Sequence, residues 1–224
     1  MEVQEYVDVD ATCEEDFFAI KCLNLLDAIH GFLELKIIRR EVPIFGFIHN
    51  TFFMGTIDEL RVDPDTMEIE QVELKTRSRQ RIPPDSLLDT HKLQVMMYKK
   101  LFDDLVMNRV KKQDVANCVK VDLHKRLGSA FLRAARFPGV FTLDNLLDKL
   151  FDLFQSMTTI HRSFIDYTYQ KDKETFAIHE VVYDSDWLHD TVKHLLTYWY
   201  GHREPLGVDI EDLWKCGWCE FKGI

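Results

Sequence analysis

The sequence predicts an α/β fold: a small mixed β-sheet flanked by helices and followed by a helical C-terminal segment. Three observations carry this reading. Residues 51–62 and 67–77 are extended runs separated by the turn residues Asp63-Pro64-Asp65-Thr66, the pattern of a β-hairpin. Residues from about 86 to 110 place Leu93, Met97, Leu101 and Leu105 four apart, the repeat of a long helix. The order helix, several strands, long helix, then mixed elements suits one sheet covered by helices.

Taken in order, residues 13–36 space their apolar side chains as a helix does, with an interruption expected near Gly31. Residues 37–47 read as a strand ending in a short turn at His49-Asn50. The hairpin 51–77 follows, and Pro83-Pro84 breaks the chain before the long helix. Residues 115–124 fit either a strand or a short helix. Beyond Pro138-Gly139 the segment 142–165 reads as helix, 170–174 as a turn, 175–184 as an alternating strand and 185–200 as helix. All 224 residues are expected in one domain, with a catalytic core over about 37–110 and a cysteine-bearing segment over about 185–224.

A hydrophobic fraction of 46 % with sixteen Phe supplies a core and excludes a disordered chain. No apolar run approaches the roughly 20 residues that span a bilayer. The N-terminus, MEVQEYVDVDATCEEDF, is acidic where a targeting peptide would be basic. The net charge of −10 argues against a protein that coats nucleic acid nonspecifically. Positive charge is nevertheless clustered locally, notably at Lys75, Arg77, Arg79 and Arg81. Five cysteines make a full disulfide framework unexpected, and Cys13, Cys22 and Cys118 read as packed thiols.

The chemistry concentrates at Asp58, in GTIDEL, and at Glu73-Leu74-Lys75 fifteen residues on. A turn near Asp65 brings Asp58 opposite residues 71–73, and strand alternation sends Glu73 and Lys75 to one side. Carboxylate oxygens are the ligands that Mg²⁺ or Mn²⁺ prefers. A lysine beside them can orient a water or neutralise developing charge at a phosphodiester. A surface hairpin bearing ordinary charges has the same spacing, but Asp58 ends the apolar run FFMGTI, where a solvated face is not expected. Gln94 and Tyr98 share a face of the long helix and can reach such a site; a polar edge on a core helix has the same pattern.

GTIDEL, ELKTR and QVMMY together resemble the PD-(D/E)xK nuclease superfamily, in the RecB-like branch where a QxxxY helix follows the ExK strand. The closing stretch TYWYGHREPLGVDIEDLWKCGWC, with REVPIFG and LGSAFLRAARFPG, is similar to the exonuclease V family over essentially the whole chain. The resemblance implies a restriction-endonuclease-like core and a monomeric, metal-dependent exonuclease on single-stranded DNA, acting in repair or genome maintenance. It implies Asp58 and Glu73 as metal ligands, Lys75 as the catalytic lysine and Gln94 with Tyr98 as the accessory motif. Arg77, Arg79 and Arg81 would contact phosphates, and Glu41, on a neighbouring strand, is a possible further metal ligand. A single-strand-binding protein as companion and a nuclear or mitochondrial setting complete the expectation.

The family carries a [4Fe–4S] cluster held by one upstream and three C-terminal cysteines. Here Cys216 and Cys219 stand at two matching positions, so the chain reads as shortened at both ends and its cluster as incomplete. The histidines read as surface or capping residues, and Trp187, Trp199 and Tyr200 as core. Two competing functions follow from the same residues: a DNA-binding repair module that no longer cuts, and an endonuclease of the same superfamily.

Overall fold

The computed structural model describes residues 11–35, 38–134, 139–208 and 210–220. It contains the expected mixed sheet, five strands lying side by side in their chain order, with helices packed against it. The first helix, α1 (Glu14–Leu35), begins with Glu14, Glu15 and Asp16, whose charges oppose the positive end of the helix dipole. Glu15 and Asp16 also reach across to the 122–128 loop: Glu15 pairs with Lys125 at 2.6 Å, and Asp16 accepts from the Gly128 N–H at 2.9 Å. The helix runs straight through Gly31, contrary to the expected interruption. A Cβ at Gly31 would fall 2.7 Å from Cζ of Arg39, so the glycine permits a close approach rather than a break.

Strands β1 (Arg39–Ile48) and β2 (Thr51–Val62) form a hairpin whose two-residue turn holds His49 and Asn50 at φ 52° and 58°. Two left-handed residues make the turn whose twist matches the strands. Strand β3 (Ile69–Arg77) pairs antiparallel with β2 after a turn in which Asp63 accepts from the N–H groups of Asp65 and Thr66. Next come α2 (Asp85–Val106), α3 (Lys112–Val119), α4 (Ser129–Ala134) and α5 (Leu143–Gln155), then β4 (Ile160–Tyr169), β5 (Thr175–Glu180), α6 (Ser185–Trp199) and a 3-10 helix Ile210–Trp218. Strand β4 pairs parallel with β3, and this connection needs a crossover, which the four helices supply.

Helix α2 lies on the sheet and touches β1, β2, β3 and β4, while α5 packs beside it and α1 packs on α5 and β1. Its fully buried Leu101 and Phe102 join Leu23, Leu25, Ile29, Ile57, Leu60, Leu147 and Phe154 in one core. Elsewhere on the sheet, Arg61 and Arg162 stack over Phe164 at 5.2 and 4.8 Å and are tied by Glu70 and Glu180. Those arginine stems shield Phe164 from water.

The sequence reading differs from the structure in three further places, and an alternative it left open is resolved in a fourth. The predicted helix 142–165 is α5 up to Gln155 and then strand β4, because pairing with β3 captures Ile160 and the residues after it. The long helix stops at Val106, where Asn108 adopts φ 54°. Residues 112–119 resolve as helix, ended by Lys120 in the left-handed region. Trp199 and Tyr200 are exposed at 80 % and 53 %, and Cys118 is exposed, so none of the three is core. No described helix is long and apolar enough to cross a membrane.

Candidate active site

The site grows from a defect in the sheet at Asp58. The β2–β3 ladder runs from Val62↔Ile69 to Glu59↔Val72 and stops there; one further step would set Asp58 against Glu73. On the other side of β2, pairing passes from Arg40↔Glu59 to Val42↔Ile57 and skips Glu41, whose φ is 51°. A non-glycine residue in that region costs energy and interrupts regular pairing. Asp58 is therefore freed on both edges, and its carboxylate takes the place of the missing ladder bond: Oδ2 accepts from the Leu74 N–H at 2.8 Å.

Glu73 and Lys75 project together, as alternation requires. Glu73 is buried, and its Oε1 lies 2.6 Å from Lys75 Nζ. The same ammonium donates to Gln94 Oε1 on α2 at 3.0 Å. Burial lifts the Glu73 carboxyl above the ordinary glutamate range; Lys75 opposes that shift and the nearby Asp58 carboxyl adds to it. Tyr98, one turn beyond Gln94, meets β2 at Gly55: a Cβ there would fall 2.7 Å from both Cζ and the hydroxyl of the phenol. Only glycine leaves room for that ring.

Asp58, Glu73, Lys75 and Gln94 are thus brought together, and Tyr98 docks three residues before Asp58 on the same strand. Arg77 is half-buried at the end of β3, and Arg79 and Arg81 are exposed in the loop that follows. Glu41 is exposed and stands in register with Asp58 across β1 and β2. The sequence reading missed His91, buried one turn before Gln94, whose Nδ1 lies 3.0 Å from the hydroxyl of the buried Tyr167. Its spacing of three from Gln94 on a helix was the available signal.

Two crowded carboxyls, one carrying a raised affinity for protons, form a donor set that fits a hard divalent cation. Mg²⁺ is often held by one or two carboxylates, with waters and a substrate phosphate completing its shell. Among the described residues no group of three or more His, Cys, Asp or Glu side chains is placed to hold a metal ion. That leaves the two-carboxylate set at the sheet, and it leaves Cys216 and Cys219 as a pair only. Both cysteines are exposed, joined by a 3.4 Å bond from the Cys219 N–H to the Cys216 carbonyl. Two thiols do not fit a four-ligand cluster. Their 3-10 helix is held instead by Asp212, which accepts from Ser86 Oγ on α2 at 2.5 Å.

A family profile described as "Exonuclease V - a 5' deoxyribonuclease" matches residues 1–73, 63–136 and 139–224. A zebrafish (Danio rerio) protein named Exonuclease V is 33 % identical over 228 residues, covering 100 % of this chain. The chain spans 57 % of that relative's length. By both matches, this chain belongs to the exonuclease V family.

Proposed function

We propose that this chain is a divalent-cation-dependent exonuclease that hydrolyses phosphodiester bonds of single-stranded DNA, working from 5' ends, in DNA repair or genome maintenance. One observation carries the reading: within this family, two carboxyls, a lysine and a glutamine on three separate elements converge at one point of the sheet. Such convergence is unnecessary for binding DNA, which requires only positive and stacking surfaces.

Asp58 and Glu73 would hold Mg²⁺ or Mn²⁺, which when bound polarises the phosphodiester and lowers the pKa of an attacking water. Glu73 must be ionised to do so, and the Lys75 ammonium beside it favours that state. Lys75 is a three-proton donor already aimed by Glu73 and Gln94, leaving a proton for the water or a phosphate oxygen. Gln94 keeps the ammonium from swinging away. Arg77, Arg79 and Arg81, at the end of β3 and in the loop after it, would contact backbone phosphates, since guanidinium groups suit phosphate oxygens.

The test is a time course with Mg²⁺ on linear single strands labelled at either end, beside a circular single strand, using this chain and its Asp58→Ala variant. The proposal expects stepwise loss from linear strands, an intact circle and an inert variant. A linearised circle would make the chain an endonuclease; binding without any cleavage would make it a DNA-binding module.

A further inference from the structure

We propose that His91 and Tyr167, together with Gln71, are positioning residues that hold α2 at the height on the sheet where the Gln94 oxygen meets the Lys75 ammonium. The inference rests on the reading of Lys75 as the acting group. Much of the buried face of α2 is apolar, through Leu88, Val95, Met96, Leu101, Phe102 and Leu105. Apolar contacts are non-directional, so by themselves they specify the axial position of a helix on a sheet poorly. Directional bonds specify it well.

Three such bonds join α2 to the sheet around Gln94, and they fall in two rows. In the parallel register of β3 and β4, Lys75 is paired with Tyr167. On α2, Gln94 and His91 are three apart and share a face. Lys75–Gln94 and Tyr167–His91, each 3.0 Å, are therefore side-by-side rungs between the same sheet row and the same helix face. The second row is Gln71 paired with Ser163. Gln71 Nε2 donates to the Val95 carbonyl at 2.7 Å and to Ser163 Oγ at 3.0 Å, one residue beyond Gln94. Gln94 is thus bracketed by polar ties at 91 and 95.

Two details favour a positional role over a stabilising one. Gln71 Oε1 is buried with no hydrogen-bond partner among the described residues, a cost that an apolar side chain would avoid. His91 is held neutral, its pKa lowered to about 4 by burial and by the charges of Lys75 and Arg77, so it adds no positive charge against the lysine.

The experiment compares Tyr167→Phe, which removes one oxygen, in the wild-type and Gln94→Ala backgrounds. The expected result is a fall in kcat of about tenfold with KM changed less than about twofold, because small misplacements at a reacting centre are costly. In the Gln94→Ala background the same substitution should cost nothing more, since the glutamine it positions is gone. An equal fall in both backgrounds overturns the proposal. A second readout needs no activity: limited acetylation with acetic anhydride should modify Lys75 several-fold faster in Tyr167→Phe, normalised to the exposed Lys171 in the β4–β5 turn. An unchanged Lys75 rate overturns the proposal. Gln71→Leu is measured in the same way should Tyr167→Phe fail to fold. Absence of cleavage by the wild-type chain counts against the nuclease reading alone, and the acetylation result then decides the positioning role.

Discussion

The carboxylate of Asp58 accepts a 2.8 Å hydrogen bond from the backbone N–H of Leu74, the residue between Glu73 and Lys75. One side chain thereby replaces a rung of the β2–β3 ladder and draws both acidic groups to the same place. Asp58 consequently has a structural role, and the metal-ligand role proposed for it can be separated from that one. Asp58→Ala should cost roughly 1 kcal/mol of stability through the orphaned N–H and reduce cleavage at least about a hundredfold. Asp58→Asn keeps an acceptor, so its melting temperature should stay near wild type while cleavage still collapses. Full activity in the asparagine variant would remove Asp58 from the site.

Glu73 has a definite pH consequence. Its folded pKa is raised, so the folded state favours the protonated acid. The associated stability is present at low pH and is lost as pH rises through the ordinary value of 4.5 and then the higher folded one. A cation held by Glu73 needs the ionised form and reverses that loss. The rise in melting temperature produced by Mn²⁺ should therefore grow with pH on the acid side of neutrality. Glu73→Gln should abolish both the growth and most of the shift; an unaltered Mn²⁺ response in that variant contradicts the ligand assignment.

Gly55 is expected to matter for activity more than for folding. A methyl group there would displace the Tyr98 ring, which lies at the flexible end of a side chain. Gly55→Ala should move the melting temperature by only a few degrees and lower kcat about as much as Tyr98→Ala. Combining the two substitutions should cost no more than either one. Additive losses would show that Gly55 acts independently of the phenol.

The cysteine pair should prove dispensable for the folded core of this chain. Asp212 and Ser86 tether the 3-10 helix by a direct hydrogen bond. Cys216→Ser with Cys219→Ser is thus expected to leave the main thermal transition within about 2 °C. Anaerobic reconstitution of the unaltered chain should give no intact four-iron absorption spectrum, because two of the four thiolates a cluster needs are placed. A stoichiometric cluster would mean that two more thiols, from among Cys13, Cys22 and Cys118 or from a second copy of the chain, complete the site.

Much of the architecture was legible in the sequence because it is local. Periodicity placed α1, the β2–β3 hairpin and α2, and the Asp63 turn set the hairpin register to within a residue or two of the observed pairing. The spacing of Glu73 and Lys75 sufficed to put them on one side, since alternation along a strand needs no tertiary information. Residues 160–165 show the limit. They follow a strongly apolar helix with no proline or glycine in between, and it is the parallel ladder with β3 that makes them strand.

The geometry of the candidate site was decided by contacts between elements distant in sequence. Spacing could place Gln94 on the right helix face but not at Lys75 Nζ, because that distance depends on how α2 sits on the sheet. The kink at Glu41 and the bond from Leu74 to Asp58 were likewise unreadable, since each arises where regular pairing fails. The same holds for His91 and Tyr167, 76 residues apart, which meet only when β4 closes beside β3. By itself the sequence determined which groups this site contains. Packing α2 against a parallel strand pair decided how they face one another, because hydrogen-bond direction is a property of the assembled layers and not of either strand or helix alone.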